Sequence, residues 1–147
     1  MSAVPYWQIR EEIAEIIKRE VPGTTVEVEK EIDFSVEQSP WVGIYLPRRS
    51  APEPQQTLAA GLRTHMELSF SIWVFCHALE LALGIKQRDE TIGNIELALM
   101  RYRTLNETVD SSWLEGGELV TARDAQTSNW LAGGEILLTA VAIAIVE

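Results

Sequence analysis

The chain has 147 residues and a formal net charge of −10, with 22 acids against 12 bases, a length within the usual size of one domain. At 46% hydrophobic residues it is not a disordered composition. Its acidity is the reverse of what a non-specific nucleic-acid binder needs, because that affinity comes largely from neutralising phosphates. An acidic chain can still surround DNA without gripping it, although solubility is the simpler reading of the charge. Cys76 is the one cysteine, which excludes an intramolecular disulfide and suits a cytosolic origin or indifference to redox state. Met1–Glu11 has no basic stretch leading into an apolar core, so a signal peptide is not expected. Ile136–Val146 is too short to span a bilayer as a helix.

Pro5–Glu20 has helical spacing, with Ile9, Ile13, Ile16 and Ile17 on one stripe and Pro22-Gly23 as the stop. From Thr24 to Phe34 the period becomes two. Val26, Val28, Ile32 and Phe34 alternate with Glu27, Glu29, Glu31 and Asp33, which predicts a strand with an acidic outer face, and Lys30 in the apolar row suggests an edge position. Trp41–Leu46, bounded by Pro40 and Pro47, reads as a second strand. Pro47–Thr57 is a proline-rich loop in which Arg48, Arg49, Pro52 and Pro54 are candidate partner contacts.

Leu62–Cys76 carries the longest alternation. At about 3.3 Å per residue it spans roughly 45–50 Å, more than a domain with a radius of gyration of about 15 Å accommodates in one straight piece. It is therefore expected to bend or to form half of a long projecting hairpin with Trp41–Leu46. Trp73 and Phe75 fall on its otherwise polar side, either under the domain's own helix or as an aromatic patch for a subunit contact. Leu79–Ile85 reads as a helical turn or an extension. Asp89 is the expected N-cap of a helix running to about Asn106, with Ile92, Ile95, Leu99 and Tyr102 as its buried stripe, widened by Leu97 and Met100. Glu118–Arg123 reads as a strand, Asp124–Asn129 as a turn, and Trp130–Val146 as a central strand apolar on both faces, with Gly133-Gly134 allowing a bulge.

The predicted fold is α+β: a single domain over 1–147 with a mostly antiparallel mixed sheet, two main helices packed on it and a long protruding β-hairpin. No catalytic motif is found. His65 and His77 lack a second ligand at metal spacing. Cys76 and His77 are neighbours on a strand and point to opposite faces. No phosphate-binding glycine motif is present. No enzyme activity, metal or cofactor is expected.

This order of elements resembles the tail terminator and head–tail joining proteins of long-tailed bacteriophages. The resemblance covers about residues 5–146 and is carried by IREEIAEIIKRE, WVGIYLPRR, LRTHMELSFSIWVF, IGNIELALMRYRTL and ILLTAVAIAIVE. It implies a homo-oligomeric ring, commonly a hexamer, that caps the tail tube, stops its polymerisation and offers the head–tail connector a surface. DNA would pass through the channel without specific binding. No membrane is involved, and the expected location is the virion neck, with the host cytoplasm during assembly. The alternatives are another neck or tail component, such as a head-completion or tube-like protein, and a small ligand-binding or enzymatic α+β domain.

Overall fold

The computed structural model describes residues 3–51 and 62–146. Its elements are α1 (Tyr6–Glu20), β1 (Thr25–Val28), β2 (Trp41–Ser50), β3 (Leu62–Ala78), α2 (Leu81–Arg101), β4 (Ser111–Leu114), β5 (Leu119–Arg123) and β6 (Trp130–Val146). Both helices pack on one mixed sheet of order β1-β2-β3-β6-β4, with β5 also on β6; only β1–β2 is parallel.

The core lies between the helices and one face of the sheet. Ile9, Ile13, Ile16 and Ile17 of α1 are fully buried, each contributing roughly 1.5–3 kcal/mol of transfer free energy. They meet the inward residues of the strands, in the cross-strand pairs Val42↔Val74, Ile44↔Ile72, Ile72↔Ile136, Phe70↔Leu138 and Leu68↔Ala140. The small side chains of Ala140 and Ala142 let the helical layer approach the sheet closely. The other end of α1 is tied to the segment after α2: the Tyr102 hydroxyl donates to Glu20 at 2.8 Å and Asn106 donates to Glu12 at 2.9 Å. The Tyr102 bond, with Arg19 and Arg101 nearby, holds the Glu20 carboxyl below its usual range.

The long hairpin is present, and it is shared by three strands. β6 pairs β3 without a break over all 17 residues, from Leu62↔Val146 to Ala78↔Trp130. The expected length of β3 therefore does not leave a two-stranded ribbon unsupported. β2 also runs further than its apolar segment, through Pro47 to Ser50. Its register against β3 shifts between Tyr45 and Arg48, so the ladder carries a bulge at Leu46-Pro47. Proline has no N–H to donate and is tolerated there.

Four expectations need correction. The strand expected to reach Phe34 ends at Val28. Glu29 takes a left-handed backbone (φ 52°), its carboxylate accepts from Leu46 N–H and pairs with Arg10 at 2.9 Å, and the chain turns out of the sheet. Residues 29–40 then cross the sheet's far face, the crossover that a parallel β1–β2 pair requires. The helix expected from Asp89 starts at Leu81. Leu79–Ile85 leads straight into it, and Asp89 lies mid-helix beside Arg88 at 3.0 Å. Leu97 and Met100 do not widen its buried stripe, being 58% and 62% exposed.

The fourth correction concerns the glycine pairs. Gly133-Gly134 makes no bulge, since the β3–β6 register is continuous there. Instead both positions are crowded. A Cβ on Gly133 would lie 2.5 Å from the Phe75 ring, and one on Gly134 would lie 2.4 Å from Ile92 Cδ1. The bulge is at Gly116-Gly117. β4 pairs Leu114 with Leu138 and β5 pairs Leu119 with Gly134, so the edge segment carries one residue more than β6 opposite it. Bonds from Leu137 N–H to Gly116 O and from Glu135 N–H to Glu118 O bridge the gap. β4 and β5 are one bulged edge strand, of which the sequence showed only the second half.

Candidate assembly surface

The sheet has one face under the helices and one without them. Alternate residues of the three central strands line the second: Tyr45 on β2, Ser71, Trp73 and Phe75 on β3, Glu135 and Leu137 on β6. β6 is thus helix-covered on the side of Ile136, Leu138, Ala140 and Ala142, whereas Leu137, Val141 and Ile143 on the other side are half-buried. Both faces of β6 are apolar, as the sequence indicates, but the helices cover only one.

Part of this open face is closed by the 29–40 crossover. Phe34 stacks on Trp41 at 5.1 Å between ring centroids and on His77 at 5.0 Å, and Phe75 lies 6.1 Å from Trp41. Trp41 is completely buried and Phe75 is 7% exposed. Phe75 is therefore a packing residue, covered by the crossover and not by a helix. Trp73 stacks on Phe75 at 5.7 Å but stays half-buried at the border of the cluster. Next to it a shallow groove of about 570 Å³ continues along the open face, lined by Ile32, Tyr45, Leu46, Trp73, Glu135 and Leu137 among others. The Tyr45 hydroxyl donates to the Lys30 carbonyl oxygen, which pins the crossover to the groove's edge.

The two arginines part company: Arg48 lies on the open face beside Ser69, which lines the groove, and Arg49 lies on the helix face. The bulge at Leu46-Pro47 puts Arg48 opposite Ser69 and Arg49 opposite Leu68, on opposite faces of β2. Arg49 is occupied within the fold: its guanidinium lies 5.2 Å over the Tyr6 ring and donates to the Tyr6 hydroxyl at 2.9 Å. Arg48 is exposed. Pro52 and Pro54 lie outside the described residues. Of the four candidate contact residues that are described, Trp73 alone lines the groove.

A second exposed region follows the β4–β5 edge. Both strands pair β6 on one side, and among the described residues no strand pairs their other side. Every residue of β5 is exposed, with Leu119 at 61% and Val120 at 41%. Nearby, Met100 and Trp113 border a groove of about 420 Å³ between α2 and β4, with Arg103 at its rim. An unpaired edge with exposed apolar side chains is a template for association unless something covers it.

Groups with nucleophilic or metal-binding potential are placed for structure. Cys76 is buried on the helix face beside Thr91, and burial pushes its thiol up to about 11, whereas a reactive cysteine needs a depressed value. A thiol reagent at pH 8 is expected to label Cys76 only at the rate of unfolding; rapid stoichiometric labelling of the native protein would contradict this placement. His77 is on the opposite face, as the strand alternation requires. Arg88 is buried along Gly134, donating to Gly133 O at 3.4 Å and paired with Asp89. Asp124 opens the β5–β6 turn, and the Gln126 N–H that it accepts at 2.9 Å is the main reason that its carboxyl lies below the usual range. Among the described residues no three His, Cys, Asp or Glu side chains cluster at metal-binding distance, and no helix is long and apolar enough to cross a membrane.

The residue that sequence reasoning missed is Glu135. It is the only charged residue between Trp130 and Val146, and that isolation in an apolar strand was its available signal. Compared with protein-family models and with curated proteins, the chain matches none.

Proposed function

We propose that this protein is a structural assembly unit of a long-tailed phage, which closes into a ring of its own copies on the tail tube, ends tube polymerisation and gives the head connector its attachment surface. The observation that carries the self-assembly is the β4–β5 edge. Among the described residues no strand pairs its outer side, and Leu119, Val120 and Trp113 are exposed along it, flanked by Glu115, Glu118 and Arg123, with Met100 nearby. A lone domain gains nothing by leaving such an edge bare, and a neighbouring copy that packs against it removes the liability. A contact between two different surfaces of the same chain closes into a ring when the rotation allows.

The long β2–β3–β6 platform and the element order support the particular kind of assembly, through the resemblance to tail terminators. The net charge of −10 suits a channel that DNA traverses without being held. In this reading the chain performs no catalysis and takes no cofactor. The test is electron microscopy of particles made without the protein. Abnormally long tails are expected. Tails of normal length detached from heads would replace the terminator reading with that of a joining component, and intact particles would overturn both.

A further inference from the structure

We infer that the groove on the open face of the sheet seats an arginine-bearing extended segment of a partner protein, with Glu135 receiving the guanidinium. Glu135 stands in the middle of the sheet, opposite Trp73 on β3. It is half-buried and accepts the Ser71 hydroxyl. Among the described residues no cation lies within ion-pairing distance of it. A carboxylate withdrawn from water is costly unless a cation or further donors complete it. One donor leaves most of its acceptor sites free, enough for the two parallel N–H groups of a guanidinium.

The surroundings favour the same occupant. Glu31 and Glu29 also line the groove, with Lys30 between them; Arg10 pairs with Glu29 and Arg48 stands on the same face at Ser69, so the carboxylate open to an incoming cation beside Trp73 is that of Glu135. The half-buried Trp73 offers aromatic surface beside Glu135, on which a planar guanidinium stacks and an ammonium fits less well. Ile32, Leu46 and Leu137 supply apolar walls for the residues flanking the arginine, and about 570 Å³ holds more than one side chain. Arginine beside aromatic and aliphatic anchors is the usual composition at the centre of a protein interface. This inference concerns a different surface from the β4–β5 edge and stands whether or not the chain ends a tube.

The experiment is an NMR titration of the intact protein with acetyl-Val-Arg-Val-amide, taken to about 10 mM because so short a probe binds weakly. Saturable shifts are expected in the Trp73 indole N–H and in the amides of Ser71, Glu135 and Leu137. The same peptide with citrulline in place of arginine, which keeps the shape and removes the charge, is expected to give none. Glu135→Gln is expected to weaken binding about tenfold while leaving the fold intact by circular dichroism. Glu11→Gln, an exposed carboxylate on α1, is expected to change nothing. No saturable shift, shifts spread over other acidic surfaces, or equal binding by Glu135→Gln would overturn the inference. Glu135→Gln altering only the mass of a self-assembled species would overturn it too, by assigning the groove to a second copy.

Discussion

Replacing Trp41 with alanine is expected to destabilise the protein by about 3–5 kcal/mol, the usual cost of deleting a fully buried large aromatic. The indole is 0% exposed and is held on three sides. Phe34 stacks on it at 5.1 Å, Phe75 approaches to 6.1 Å, and Gly43 lies so close that a Cβ there would come within 2.5 Å of the ring. Truncation would remove both the packing between β2 and β3 and the surface on which the 29–40 crossover rests. The indole Nε1 has no hydrogen-bond partner among the described residues, so Trp41→Phe discards an orphaned donor along with part of the ring and is expected to cost well under half as much. Urea unfolding of the two variants checks this. A Trp41→Ala loss below about 1 kcal/mol would mean that the crossover does not depend on the cluster.

Gly117→Ala is expected to cost a similar amount for a different reason. Its φ of +150° disfavours any side chain, and an added Cβ would lie 1.8 Å from the backbone oxygen of Glu135. Neither atom is at the end of a flexible side chain, so the backbone itself must move. The move would break the flanking bonds from Glu135 N–H to Glu118 O and from Leu137 N–H to Gly116 O. Backbone strain of about 1–3 kcal/mol and two lost bonds of about 1 kcal/mol each add to roughly 3–5 kcal/mol. Gly93→Ala is the control. It lies inside α2 with open space around the added methyl, and it is expected to stabilise by about 0.5–1 kcal/mol. Thermal melts of both variants read this directly. Similar small effects at the two sites would show that the bulge between β4 and β5 is loose.

These two sites also show where the sequence spoke and where it did not. The long elements were legible because their periods are sustained: the isoleucine stripe of α1, the alternation of β3 and the apolar β6 all lie where the pattern places them. The strand expected over Thr24–Phe34 was overextended for a physical reason. The chain leaves the sheet at Glu29, yet Phe34 still packs its half-buried ring on Trp41 and His77 of the open face, so the apolar alternation outlasts the strand. The start of α2 was misread because Asp89-Glu90 looks like a cap, whereas Asp89 serves as an ion partner of Arg88 within the helix. The actual cap, Glu80, makes no side-chain bond that would mark it.

Register was the information most hidden. The Leu46-Pro47 bulge decides which of Arg48 and Arg49 faces the helices and which the open face, and the Gly116-Gly117 bulge joins two short segments into one edge; both depend on the partner strand. For the same reason the sequence left Trp73 open between a place under a helix and an exposed patch, and showed none of its neighbours in the groove. Tyr45, Glu135 and Leu137 come from other strands, brought together only by the β2–β3–β6 pairing.

The claim that this domain works by assembling with itself is tested most directly by its mass in solution, from multi-angle light scattering behind a sizing column with the concentration varied. The 16.5 kDa chain is expected to give a concentration-dependent species of several copies, close to six where the ring closes. Leu119→Lys on the exposed edge is expected to return it to one copy without loss of the fold. A mass of one chain at every concentration, both alone and with tail tubes added, would contradict the account.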